Sequence, residues 1–249
     1  MSMQILEATN ETLTLDGFTR AGYSFGSRIG DIARHEIGES FVTSADLRTA
    51  GFLLEPFWET AGDLEGDAYR NYIDMHPEFE LSVRQGVFER LKVVQDILID
   101  DWQLVLKAGY RPPSVQQDLL AVFQEKSMQD HPDWSDDRHL AHARTFVSDP
   151  RLLCPPHTTG GAIDIDVRNH RTGELIDFGC PPNTDDERAF LFSDQLINVQ
   201  MSNRHTLLRA MLAAGFAPNP HEWWHYQYGE TYWAAFYGHK TTLYDILYT

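Results

Sequence analysis

The clearest periodicity in the chain begins at Leu81. Val83, Val87, Leu91, Val94 and Leu98 recur at three- and four-residue spacing, with Arg, Glu, Lys and Asp between them. That pattern predicts an amphipathic helix ending near Asp100-Asp101. Trp102 to Leu106 reads as a short strand, broken by Gly109-Tyr110-Arg111-Pro112-Pro113. Ser114-Val115-Gln116-Gln117 has the form of a capping box and predicts a second helix to about Gln124. Ser127 to Asp149 is polar, holds Pro132 and the histidines 131, 139 and 142, and reads as a partly helical loop region. Ala162 to Val167 alternates apolar and acidic residues with period two, as a strand with one buried face does. Glu174 to Phe178 resembles the next strand, with Asn169 to Gly173 as the turn of a hairpin. A third helix is expected from about Asn203 to Ala214, with Leu207, Leu208, Met211 and Leu212 as its stripe and Gly215 at C′. Glu222 to Tyr228 is a last strand candidate. Helices and an antiparallel sheet thus segregate along the chain, which argues for an α+β fold with a central antiparallel sheet.

Composition narrows the classes. The 249 residues suffice for one sizeable domain or two small ones, and a single domain over 1–249 is the expectation. With 42% hydrophobic residues a real core is available, yet no run approaches the roughly 20 apolar residues of a membrane span. Met1 to Glu7 lacks a basic n-region and an apolar h-region, so a soluble, cytoplasmic protein is expected. A formal charge of −17 repels phosphate backbones and makes nucleic acid an unfavourable partner. Two cysteines, Cys154 and Cys180, exclude a disulfide framework and a four-cysteine zinc site. Two free thiols are the favoured reading, and one Cys154–Cys180 bridge stays open.

The candidate chemistry sits in two segments, Pro156-His157-Thr158-Thr159-Gly160-Gly161-Ala162-Ile163-Asp164 and Glu222-Trp223-Trp224-His225. A catalytic zinc site needs three nitrogen or oxygen ligands and an open position for water. His157 ends a Pro- and Gly-rich loop, and Asp164 lies on the strand that follows. Gly160-Gly161 would let the loop fold back so that both side chains reach one ion. His225 would supply the third ligand. Glu222 lies three residues before it, and on a regular strand such residues face opposite sides, so a bulge or bend is required. The two tryptophans would form a dry wall. Each residue alone has a plainer reading: a surface or satisfied core histidine, a solvated strand aspartate (Asp166 above all), a surface glutamate, a structural arginine. The joint pattern is what carries weight.

These residues closely resemble the zinc D-alanyl-D-alanine dipeptidases associated with vancomycin resistance. The family's His-x-x-Gly-x-Ala-x-Asp pattern is met by His157, Gly160, Ala162 and Asp164. Its Glu-Trp-Trp-His run is met by Glu222-Trp223-Trp224-His225, followed by Tyr226 and Tyr228-Gly229. Gly109-Tyr110-Arg111-Pro112 matches its arginine motif, and Phe146 to Pro150 resembles the lead into the first histidine. Asn203-Arg204 through Ala214-Gly215-Phe216 is similar to the helix before the Glu/His motif. The resemblance runs from about Leu81 to Gly238.

It implies one Zn2+ per chain on His157, Asp164 and His225, with Glu222 as general base and Arg111 stabilising developing negative charge. It also implies a small α+β domain with an antiparallel sheet carrying the metal in a partly covered cavity, and a small dipeptide as substrate. Two departures stand out. Pro155 occupies the place of a family serine two residues before the first histidine, and the first 80 residues, which help cover the site in the family, match poorly. Two alternatives stay open: a D-Ala-D-Ala or L,D-carboxypeptidase acting on cell-wall peptides, and a catalytically inactive zinc- or peptide-binding module.

Overall fold

The computed structural model describes residues 29–59, 64–99, 101–151 and 154–248. Its five-stranded sheet has the order β2-β4-β5-β7-β6, built from β2 (Leu53–Leu54), β4 (Trp102–Ala108), β5 (Ala162–Asn169), β6 (Ala217–Asn219) and β7 (Glu222–Gln227). The short strands β1 (Phe41–Val42) and β3 (Val83–Arg84) pair separately. The α+β class is as expected, but the sheet is mixed rather than antiparallel: β2 runs parallel to β4, while the other neighbours are antiparallel. The two-residue island Leu53-Leu54 carried no period that could fix a direction.

Seven α-helices lie among the described residues: α1 (Ser44–Thr49), α2 (Leu64–Met75), α3 (Gln85–Ile97), α4 (Pro113–Asp130), α5 (Asp136–Phe146), α6 (Asn198–Ala213) and α7 (Thr231–Tyr237). The stripe Val87, Leu91 and Val94 of α3 is fully buried, as its spacing requires. Val83 and Arg84 precede that helix as a strand. The second helix starts at Pro113 rather than at a Ser114 cap, with Pro112 as N-cap and no side-chain cap bond. Proline suits a first helical turn because its missing N–H would have no helical partner there. The helix continues to Asp130, and α5 occupies part of the expected loop. On α6, Leu207, Leu208, Met211 and Leu212 are buried, and Gly215 follows at φ +88°.

Ile163, Ile165 and Val167 point from β5 into the main core, which α3 and α6 also line. A second apolar cluster joins Ala68 and Tyr69 of α2 to Val115, Leu119 and Leu120 of α4 and to Ala143 and Val147 around α5. The expected hairpin after β5 keeps its turn, closed by Gly173 N to Asn169 O at 2.8 Å. Its second arm reduces to a single bridge, Arg168 to Leu175. Arg204 anchors this segment instead: it is 1% exposed and donates to the carbonyls of Phe178 and Arg188 at 2.8 and 2.7 Å. No helix among the described residues is long and apolar enough to cross a membrane. Both cysteines are free thiols.

Candidate metal centre

Sheet register brings the first two candidates together. Asp164 of β5 pairs directly with His225 of β7, and both side chains are buried. His157 reaches them from a 3-10 turn over Pro156–Thr159, which ends at Gly160 with φ +74°. At Gly161 a Cβ would lie 2.4 Å from the Tyr228 carbonyl oxygen, so only glycine lets the loop lie this close to β7. Arg84, 2% exposed, clamps the loop from outside by donating to the Thr159 carbonyl at 2.9 Å.

The ligand atoms converge. His157 Nε2 lies 3.1 Å from Asp164 Oδ2 and 3.2 Å from His225 Nδ1, and His225 Nδ1 lies 2.8 Å from Asp164 Oδ1. For metal–nitrogen distances of about 2.1 Å, tetrahedral ligand atoms lie roughly 3.4 Å apart, so the spacing suits one small cation. Protonation points the same way. His157 Nδ1–H donates to the Gly109 carbonyl at 2.8 Å, which leaves Nε2 as a lone pair facing a carboxylate and a second imidazole. A cation satisfies all three groups at once. Burial and the nearby Arg111 lower the pKa of His157. Burial would raise the pKa of Asp164, but the two histidines hold it well below the usual carboxylate range. For His225, burial is outweighed by Asp164, and its pKa is raised.

Glu222 and Arg111 line the same cavity as this candidate centre. The required bend is present: Pro218 pairs with Tyr226 but Asn219 with Glu222, so β6 and β7 slip register between them. Glu222 Oε2 thereby comes within 3.8 Å of His225 Nδ1 and accepts a hydrogen bond from Asn219 Nδ2 at 2.8 Å. Burial against the cavity wall raises its pKa, with His225 opposing. The two tryptophans, neighbours on β7, face opposite sides of the strand. Trp224 lines the cavity. Trp223 faces the core, where it stacks on Phe178 at 4.2 Å and donates to the Cys180 carbonyl. Arg111 is 5% exposed; its backbone N–H donates to the His157 carbonyl at 3.1 Å, and its guanidinium to Gln116 Oε1 at 2.9 Å and Tyr69 Oη at 3.3 Å.

Tyr69, Gln116, Asn219 and the Gly109 carbonyl are positioning groups that sequence reasoning missed. Gln116 and Asn219 lie within five residues of a candidate, whereas nothing in the chain points to Tyr69. Asp166, expected on a solvated face, is 6% exposed instead. Burial pushes its pKa up to about 6. All five candidates, Arg111, His157, Asp164, Glu222 and His225, line one cavity of about 560 Å³.

A buried two-histidine, one-aspartate set with a carboxylate and a fixed guanidinium at its edge is the equipment of a metal-dependent hydrolase. Comparison with known proteins agrees. The family model for the M15 peptidases, described as D-ala-D-ala dipeptidase, matches residues 83–242. This chain therefore belongs to that metallopeptidase family. A D-alanyl-D-alanine dipeptidase of a Synechocystis species is 25% identical over 189 residues, covering 64% of this chain and 73% of that protein. One from Enterococcus faecalis is 33% identical over 137 residues, covering 52% of this chain and 66% of its own. One from Streptomyces coelicolor is 29% identical over 126 residues, covering 49% and 60%.

Proposed function

We propose that this chain hydrolyses dipeptides, with D-alanyl-D-alanine as the preferred substrate, using one zinc ion held by His157 Nε2, Asp164 and His225 Nδ1. Glu222 is the general base and Arg111 stands beside the developing oxyanion. One observation carries the reading: three buried ligand atoms converge within 4.8 Å of one another on a cavity that Glu222 and Arg111 also line. When bound, zinc supplies a Lewis acid and lowers the pKa of water. Glu222 takes the proton of the attacking water and returns it to the leaving amine. Its raised proton affinity suits both transfers, and Asn219 keeps the carboxylate turned toward the metal ligands. Arg111 meets the oxyanion with donors already fixed by Gln116 and Tyr69, so little reorganisation accompanies charge development. The chain forms one domain around both apolar clusters, and the segment at Ile29, which lines the cavity, belongs to its cover.

A kinetic screen of dipeptides of both chiralities on the zinc-loaded protein tests this, with D-Ala-D-Ala expected to be cleaved fastest. Glu222→Ala should keep its zinc and lose about 10²–10⁴ in rate. His225→Ala should lose bound zinc on dialysis, by elemental analysis. Parent-rate hydrolysis by Glu222→Ala would remove the base assignment. Release of terminal D-Ala from a muramyl pentapeptide without cleavage of free D-Ala-D-Ala would replace the dipeptidase with a carboxypeptidase.

A further inference from the structure

Two polar side chains on the cavity wall have no part in the chemistry above. Gln227 follows His225 by two residues on β7, so the two share a face, and it pairs with Ala162 as His225 pairs with Asp164. Gln227 is 3% exposed, and its Oε1 has no hydrogen-bond partner among the described residues. Thr231, the first residue of α7, is 8% exposed, and its Oγ1 is likewise buried without a partner. Both residues line the cavity. Buried polar groups left unsatisfied cost stability, and a ligand with complementary groups removes that cost.

The surroundings select the ligand's chemistry. The adjoining loop wall, Pro155-Pro156, has no N–H to offer, and its carbonyls are occupied: Pro155 O accepts from Thr158 and Pro156 O from Thr159. Glu230 also lines this wall but turns both oxygens to the backbone N–H groups of Tyr232 and Trp233. Arg111 also lines the cavity, its backbone N–H tied to the His157 carbonyl and its guanidinium to Gln116 and Tyr69. Glu222, Asn219, His221 and Asp185 line the cavity as well. A dipeptide brings one cation and one anion. The exposed carboxylate of Asp185 suits the ammonium; the Gln227 amide and the Thr231 hydroxyl suit the carboxylate. A half-turn of the Gln227 amide presents its two donors, and Thr231 adds an O–H. Gln227 stands about 7 Å along the strand from His225, within reach of a carboxylate one residue beyond the scissile bond.

We propose that Gln227 and Thr231 bind the C-terminal carboxylate of the peptide substrate, and so select peptides that end one residue past the cleaved bond. The inference rests on the peptide-hydrolase reading of the site. It is tested with D-Ala-D-Ala and its C-terminal amide on the parent, Gln227→Met, Thr231→Val and Thr231→Ser. Gln227→Met is expected to raise KM for the free acid about 10- to 100-fold, as loss of a hydrogen bond to a charged group does, and to lower the acid-over-amide preference in kcat/KM at least tenfold. Its melting temperature should hold or rise, since an unsatisfied buried amide is gone. Thr231→Val should shift the same ratio, and Thr231→Ser should retain it. Equilibrium binding of the two peptides in a Glu222→Ala background reads that preference without turnover. An unchanged KM for the acid, or equal losses for acid and amide, overturns the subsite. A parent that cleaves neither peptide overturns the hydrolase reading, while the binding comparison still decides the subsite.

Discussion

Gly160→Ala probes the link between backbone conformation and the metal centre. Gly160 has φ +74°, and a Cβ there would lie 2.7 and 2.8 Å from two ring carbons of Phe41 and 3.2 Å from Arg84 Cγ. The ring cannot easily retreat, because it packs on Tyr110 at 5.0 Å and beneath the Arg84 guanidinium at 5.0 Å. The left-handed conformation costs an alanine about 1–2 kcal/mol, and overpacking adds roughly 1–3 kcal/mol. Gly173 supplies the control. Its φ is +76°, but nothing lies within 4 Å of a Cβ there, so Gly173→Ala should cost about 1–2 kcal/mol. Urea unfolding of the two metal-free variants should differ by about 1–3 kcal/mol. Because His157 sits in the same turn, Gly160→Ala should also weaken metal binding by about 10- to 100-fold, as changes behind a ligand do, read by chelator competition. Phe41→Leu in the Gly160→Ala background should restore part of the stability. If Gly160→Ala is no less stable than Gly173→Ala, the packing argument for this loop is wrong.

Further outcomes follow from the same geometry. Arg111→Lys keeps the charge but loses the fork held by Gln116 and Tyr69, so kcat should fall about 10²–10³-fold; Gln116→Leu should lower kcat less, and a kcat unaffected by either change would remove Arg111 from the chemistry. Chelation should lower the melting temperature, since metal at 100 times its Kd contributes about 2.7 kcal/mol; an Asp164→Asn variant that responds to metal as the parent does would contradict the ligand set. Burial pushes the Glu230 carboxyl up to about 7 from 4.5, so the folded chain binds that proton more tightly than the unfolded chain. Its stabilising effect is full below about 4.5 and is lost as pH rises through 7. Glu230→Gln should flatten that decline and gain up to about 3 kcal/mol at pH 8. Parallel pH–stability curves for parent and variant between pH 5 and 8 would refute this sign.

The site was more legible in the sequence than the fold around it, for physical reasons. A metal needs particular donor atoms at short range, so His157, Asp164 and His225 stood out by residue type and by the glycines that let the loop close. The awkward three-residue spacing from Glu222 to His225 announced a bend, and the β6–β7 register slip supplies it. Trp223 was misplaced because adjacent residues on a strand face opposite sides, so the two tryptophans do not wall the same site. Asp166 was misplaced because alternation fixes which residues share a face, not whether the polar face meets water. The direction of β2 depended on tertiary pairing that two leucines do not encode. Tyr69 was invisible since its role exists only once α2 packs on α4.

That last contact shows how the two apolar clusters divide the work. The sheet core sets Asp164 opposite His225 through backbone pairing, which leaves their side chains little freedom. The second cluster, through Tyr69 and Gln116, holds the guanidinium of Arg111. His157 joins the two halves, its ring bonded to the Gly109 carbonyl and its own carbonyl to the Arg111 N–H. A change in the packing of α2 against α4 therefore reaches the Arg111 guanidinium first and meets the candidate metal ligands only through His157. A change in the β5–β7 register does the reverse.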